Sequence, residues 1–278
     1  MKRILLAVCL VMLVSVSAFA GESIADFPPV LLYYDIKDKP LNEADVTVED
    51  FCAQLDWLKE NGYETLSIED FVSYVKRGES FPEKSILITF DNGYSGIFNY
   101  AFPEMTKRGM KATLFINTEY VGSFTTVYAH ITKRQIKQLV NTGLFSVASD
   151  TVSFPRLTQI THEERQKELA KSKKFLEDLT GKKVEALAYP YSDYDGKVID
   201  DVKEAGYEVA FAVENKGLFG HDARYSIPRI VTGMALGEDN QKLFKELVLN
   251  YKEMSPEAFA DRWKPMPGEE WRWEPKGE

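Results

Sequence analysis

Aspartates stand where three apolar runs end: Asp91 after Ser85 to Phe90, Asp150 after the run near Val147, and Asp193 with Asp195 after the run near Ala188. Tyr34, Tyr94, Tyr189, Tyr191 and Tyr194 accompany them. Carboxylates gathered in this way can move protons or hold a cation, and tyrosine offers a flat apolar face with a polar tip. Together they read as a carboxylate-lined cleft with rings to stack on sugars, although each aspartate taken singly also suits a loop or a helix cap. The chain has three histidines: His130 and His162 fall at helix starts and read as surface residues, and His221 lies in a loop. Cys52 sits in an amphipathic stretch and reads as a small buried apolar residue.

The elements that must position these groups alternate. A short apolar strand covers Pro29 to Tyr34, followed by a helix that Thr47-Val-Glu-Asp50 caps and Asn61-Gly62 ends. Thr65 to Ser67 reads as a short strand, with a helix from Ser67 to Arg77-Gly78. Strands over Ser85–Phe90, Ala112–Ile116, Phe145–Ala148, Ala186–Ala188 and Glu208–Val213 are separated by helices near 98–108, 132–141, 161–179 and 197–205. Repeated strand–helix units predict parallel pairing, in an α/β barrel or a doubly wound sheet. Either architecture puts chemistry at the C-terminal strand ends, where the aspartates fall.

A formal charge of −9, from 34 Lys and Arg against 43 Asp and Glu, argues against nucleic acid as a partner. The first residues form an address: Lys2-Arg3, an uncharged run from Ile4, and Ser17-Ala-Phe-Ala20 as a small-residue cut site. A signal peptide over 1–20 implies export to a periplasmic or extracellular space, with no membrane span after cleavage and Cys52 as the single remaining cysteine. The main domain is expected over 21–250. Residues 251–278 form a tail with Trp263, Trp271 and Trp273 among four prolines, which could cover the domain or dock a protein partner.

Four segments resemble a known family. Thr89-Phe-Asp-Asn-Gly-Tyr94 with its sequel Lys111-Ala-Thr-Leu-Phe115 is similar to the T-F-D-D-G-Y signature of polysaccharide deacetylases, the NodB-homology domain of carbohydrate esterase family 4. Ser149-Asp-Thr-Val-Ser-Phe-Pro155-Arg-Leu157 aligns with S-H-T-x-x-H-P-x-L and Ala188-Tyr-Pro-Tyr191 with the third motif, and the similar stretch runs from Pro29 to Pro228-Arg229. The resemblance spans residues 28–235 and leans toward the secreted poly-N-acetylglucosamine deacetylases. It implies a distorted (β/α) barrel of about seven parallel strands and an N-acetylated polysaccharide or peptidoglycan-type glycan as partner. It also implies Asp91 as catalytic base with Arg229 as its partner, the Tyr191 backbone N–H at the oxyanion, and Tyr34, Tyr94, Tyr189 and Tyr194 against the substrate.

The departures concern the metal. The resemblance implies zinc held by one Asp and two His, and those positions are Asn92, Asp150 and Phe154. Tyr34 stands where the branch has His, and Ser192 where the third motif has Gly. The expectation is therefore no zinc and an impaired or inactive member of the family. One alternative is an active deacetylase with an oxygen-ligand site for magnesium or calcium. A second is a non-catalytic interaction module.

Overall fold

The computed structural model describes residues 27–42, 44–124, 128–213, 223–233 and 240–253. The leader at 1–20, His221 and the tryptophan-bearing part of the tail lie outside the described residues.

Continuous apolar runs become strands buried on both faces, as parallel sheets covered by helices require. The strands are β1 (Val30–Tyr33), β2 (Ile36–Lys37), β3 (Val46–Thr47), β4 (Glu64–Thr65), β5 (Ser85–Phe90), β6 (Ala112–Ile116), β7 (Phe145–Ser149), β8 (Ala186–Ala188), β9 (Val209–Ala212), β10 (Ile227–Pro228) and β11 (Ile230–Val231), of which the two-residue β2, β3 and β4 are not fully buried. The helices are α1 (Val48–Glu60), α2 (Ile68–Arg77), α3 (Phe102–Arg108), α4 (Lys133–Asn141), α5 (His162–Thr180), α6 (Gly196–Glu204) and α7 (Asn240–Leu249), with a π-helical turn over Ile97–Ala101 leading into α3. Thr47, Ser67, Thr132, Thr161 and Asp195 each cap the helix that follows by accepting a backbone N–H.

The sheet runs β10-β9-β8-β7-β6-β5-β1-β11, every pair parallel, with β4 beside the start of β5. β10 and β11 are one strand broken at Arg229. Its first half pairs with β9 and its second half with β1, so this single strand nearly closes the barrel. With β10 and β11 taken as one stave, the wall has seven staves, as expected.

Side chains alternate along each stave. Val30, Leu87, Phe115, Ala148, Ala186, Ala188, Val209, Phe211 and Ile227 fill the interior, joined by Phe71 and Val72 of α2. Glu69 of α2 also accepts the Ser146 hydroxyl near the start of β7, which places α2 across the strand-start end. Tyr33 and Phe90 face outward onto Phe51 of α1. Two short segments differ from the sequence expectation. Thr65 to Ser67 is a strand only over Glu64–Thr65, because Ser67 serves as the α2 N-cap. Cys52 is half-buried on α1 instead of in the core.

Candidate functional site

The alternation that turns Tyr33 and Phe90 outward turns their successors, Tyr34 and Asp91, inward at the C-terminal mouth. Asp150 shares the parity of Ala148, and Asn117 that of Phe115. Ile116 registers with Ser149, so Asn117 and Asp150 lie opposite each other just beyond paired strands. The closing strand delivers Arg229 to the same layer. Five polar residues from separate staves thus top an apolar barrel.

Arg229 is 2% exposed and grips Asp91 with both ends of its fork, Nη1 to Oδ1 at 2.7 Å and Nη2 to Oδ2 at 2.8 Å. Its guanidinium lies over the Phe115 ring, 5.3 Å from the centroid. Bidentate pairing of this kind fixes both partners in angle as well as distance. Burial pushes the Asp91 carboxyl up from its ordinary value, and Arg229 opposes that push. Asp150, 1% exposed, receives the Asn92 backbone N–H, but its Oδ2 has no hydrogen-bond partner. Burial and the nearby Asp91 charge hold the Asp150 carboxyl well above the usual carboxylate range. The Tyr34 hydroxyl is raised by burial and by the neighbouring Asp91 charge. Two carboxylates therefore share one guanidinium, and both arms of its fork go to Asp91.

The loops carrying these groups are held in costly conformations. Among the described residues, the non-glycine residues with positive φ are Asn92 (64°), Thr151 (64°), Phe154 (60°), Tyr191 (56°) and Ser192 (51°), all at this mouth. Each costs roughly 1–2 kcal/mol against ordinary backbone, and side chains compensate locally. Glu168 of α5 accepts the backbone N–H groups of Val152 and Ser153 and the Ser153 hydroxyl at 2.8–2.9 Å. Thr151 Oγ1 accepts the Phe154 N–H at 3.2 Å, and Ser192 Oγ accepts the Val213 N–H at 2.7 Å. The last bond gives Ser192 a use that a glycine there would lack.

The expected metal positions do not fit zinc. Asn92 offers at most a neutral amide, Asp150 a single carboxylate, and Phe154 no donor atom. The Phe154 ring instead packs on Tyr191 at 4.8 Å between centroids. Zinc requires about three protein ligands drawn from imidazole, thiolate and carboxylate, and of these the three positions supply a single carboxylate.

Several expected site residues sit elsewhere. Tyr94, Tyr189 and Tyr194, expected against substrate, are only 3%, 3% and 2% exposed. Tyr189 and Tyr194 stack on each other at 4.6 Å, and Tyr94 packs against Tyr128 and His130. Asp193 accepts Thr158 N–H and hydroxyl across a loop, and Asp195 caps α6. His130, expected at the surface, is half-buried between Tyr94 and Tyr120, with Nδ1 3.0 Å from Ser123 Oγ. His162 is exposed as expected and bonds Asp201 at 2.7 Å.

Sequence reasoning missed Asn117 and Glu168. Asn117 is 1% exposed, with Nδ2 unpartnered. It follows an apolar strand just as Asp91 and Asp150 do, and the same strand-end rule would have found it. Nothing local in the sequence marks Glu168. A separate trio, His162, Asp201 and Glu204, could gather ligand atoms on α5 and α6 outside the barrel. Asp201 already bonds both His162 and Arg165, and the Arg165 charge opposes a cation there.

Comparison with known proteins bears on this geometry. Residues 78–210 match the family model of polysaccharide deacetylases. The chain carries a polysaccharide deacetylase domain. A poly-beta-1,6-N-acetyl-D-glucosamine N-deacetylase of Staphylococcus aureus (strain MSSA476) is 29% identical over 217 residues, covering 74% of this chain and 74% of that protein. A polysaccharide deacetylase from Bacillus cereus has TM-score 0.67 and 29% identity over 79% of this chain and 68% of that one. A Streptococcus pyogenes deacetylase in complex with acetate shares the fold, with TM-score 0.65 and 23% identity over 86% of this chain and 98% of that one. The deacetylase domain thus includes Asp91, Asn92, Asp150, Phe154 and Tyr191, whereas Arg229 reaches the cluster from beyond the matched span.

Proposed function

We propose that this chain is an exported member of the polysaccharide deacetylase family that engages an N-acetylated glycan at the barrel mouth but hydrolyses its N-acetyl group weakly or not at all. Deacetylation needs an activated water, a stabilised oxyanion and an acid for the leaving amine. The Asp91–Arg229 pair retains the position of the base, and the Tyr191 backbone that of the oxyanion donor. The observation that carries the reading is the donor set at 92, 150 and 154: an amide, one carboxylate and a phenyl ring. Export rests on the leader pattern of residues 1–20 and places the protein in the periplasm or outside the cell, where such glycans occur.

The test is metal content and acetate release, measured on residues 21–278 purified without a histidine tag. The expected result is no stoichiometric zinc and no zinc-dependent acetate release from oligomeric β-1,6-linked N-acetylglucosamine. Zinc-dependent turnover would overturn the reading.

The unpartnered, buried Oδ2 of Asp150 favours a second reading, an oxygen-ligand site for magnesium or calcium built on Asp150 and Asn92. It requires stoichiometric binding of either ion, lost in Asp150→Ala. A protein partner through residues 251–278 is a further reading; it would require a partner that is lost when the chain is truncated after Lys252.

A further inference from the structure

Phe154, at the third metal-ligand position that the family resemblance implies, forms part of an aromatic surface. Phe154 and Tyr191, on the loops after β7 and β8, pack at 4.8 Å with their planes 57° apart. Arg156 lies over the Tyr191 ring, 4.4 Å from its centroid. Phe154 and Tyr191 are half-buried and Arg156 is exposed, so these groups meet solvent at the mouth, unlike the buried Tyr94, Tyr189 and Tyr194. Both aromatic residues occupy the left-handed region, at φ 60° and 56°, where bulky side chains are rare. The two rings meet between the loops after β7 and β8, and Glu168 and Thr151 fix the Phe154 loop. Strain of this kind persists where surrounding structure enforces it, and it clusters at binding and catalytic sites.

We propose that Phe154 is a carbohydrate-stacking residue that takes the apolar face of an N-acetylglucosamine ring, with Tyr191 as its support and Arg156 as a flanking donor to hydroxyl or acetamide oxygen. The substitution that removes a metal donor thereby adds a sugar contact. A neutral sugar suits the site: the C–H face of the ring matches the exposed part of Phe154, and the chain's net charge of −9 disfavours a polyanion. The inference rests on the glycan reading above and names the residue that contacts the sugar.

The test titrates a β-1,6-linked N-acetylglucosamine pentasaccharide into the chain by calorimetry. Phe154→Ala and Phe154→Leu are each expected to weaken binding about tenfold, and Phe154→Tyr to stay within about threefold of the parent protein. Leucine keeps most of the volume without the ring, so its loss separates stacking from folding, which a thermal melt checks for every variant. Parent binding with Phe154→Leu unchanged would overturn the stacking role and leave the glycan reading standing. No binding by the parent chain would overturn both.

Discussion

Asp91, Arg229 and Asp150 make an unequal trio, and the inequality predicts opposite outcomes for similar mutations. Arg229→Met leaves Asp91 buried without its partner and is expected to cost about 3–5 kcal/mol in chemical denaturation. Asp150→Asn removes the second buried carboxylate, whose ionised form the site penalises. Folding raises this carboxyl above its unfolded value, so the parent protein loses stability as pH rises above the ordinary carboxylate range near ~4. Asp150→Asn is therefore expected to be neutral or stabilising at pH 7 and to lose that advantage toward pH 4. A large loss at pH 7 would contradict the assigned charge balance.

Asp35 gives a second pH signature. Burial pushes it up to about 6, against the pull of Lys37, whose Nζ lies 3.1 Å from Oδ2. Folding favours the protonated acid, so its contribution is present below about pH 4 and lost as pH rises to 6. The span corresponds to about 3 kcal/mol. Denaturation curves of the parent and Asp35→Asn, compared from pH 4 to 7, should diverge over that window and run parallel above it.

At the scale of elements, the mouth depends on staples between loops and helices. Glu168→Ala removes the acceptor for two backbone amides and one hydroxyl of the 152–153 turn. Hydrogen exchange should quicken at Val152 to Phe154, with a stability loss of about 1–3 kcal/mol. Unchanged protection there would show that the turn holds itself. Gly96 meets a harder constraint, since a Cβ there would lie 2.1 Å from both Asp35 Oδ1 and the Ile36 carbonyl. Gly96→Ala must push the π-helical turn off β2 and should cost about 1–3 kcal/mol, readable as a lower melting temperature.

The whole molecule is a parallel barrel whose closure and whose site share one residue. The strand broken at Arg229 binds β9 on one side and β1 on the other, so the residue that neutralises Asp91 also stands where the barrel nearly closes. Metal binding would show at this scale too. A ligand that binds only the folded state at 100 times its Kd stabilises by about 2.7 kcal/mol. A melt of the full chain is expected to shift neither with added zinc nor with a chelator. A zinc-dependent rise that Asp150→Ala abolishes would mean the mouth has been rebuilt as a metal centre.

Most strands and helices could be placed from residue pattern alone, because runs such as Ser85–Phe90 and Ala112–Ile116 are apolar throughout and caps such as Thr132 and Thr161 announce the helices. Strand-end position likewise picked out Asp91 and Asp150, since a polar residue ending a buried run emerges at the mouth. Family likeness joined Arg229 to them and exposed the missing donors at 92 and 154. Pattern could not tell which tyrosines are buried. Tyr189 and Tyr194 end as a buried stack, whereas Tyr191, between them, stays half-exposed on a left-handed backbone, a difference that ring type does not encode. Asn117 entered the site through its register with Asp150, and Glu168 through a contact across 15 residues or more of chain. Local pattern reports what a residue can do. Only the tertiary structure decides which groups share one desolvated space, because that depends on register, barrel closure and packing between segments far apart in the chain.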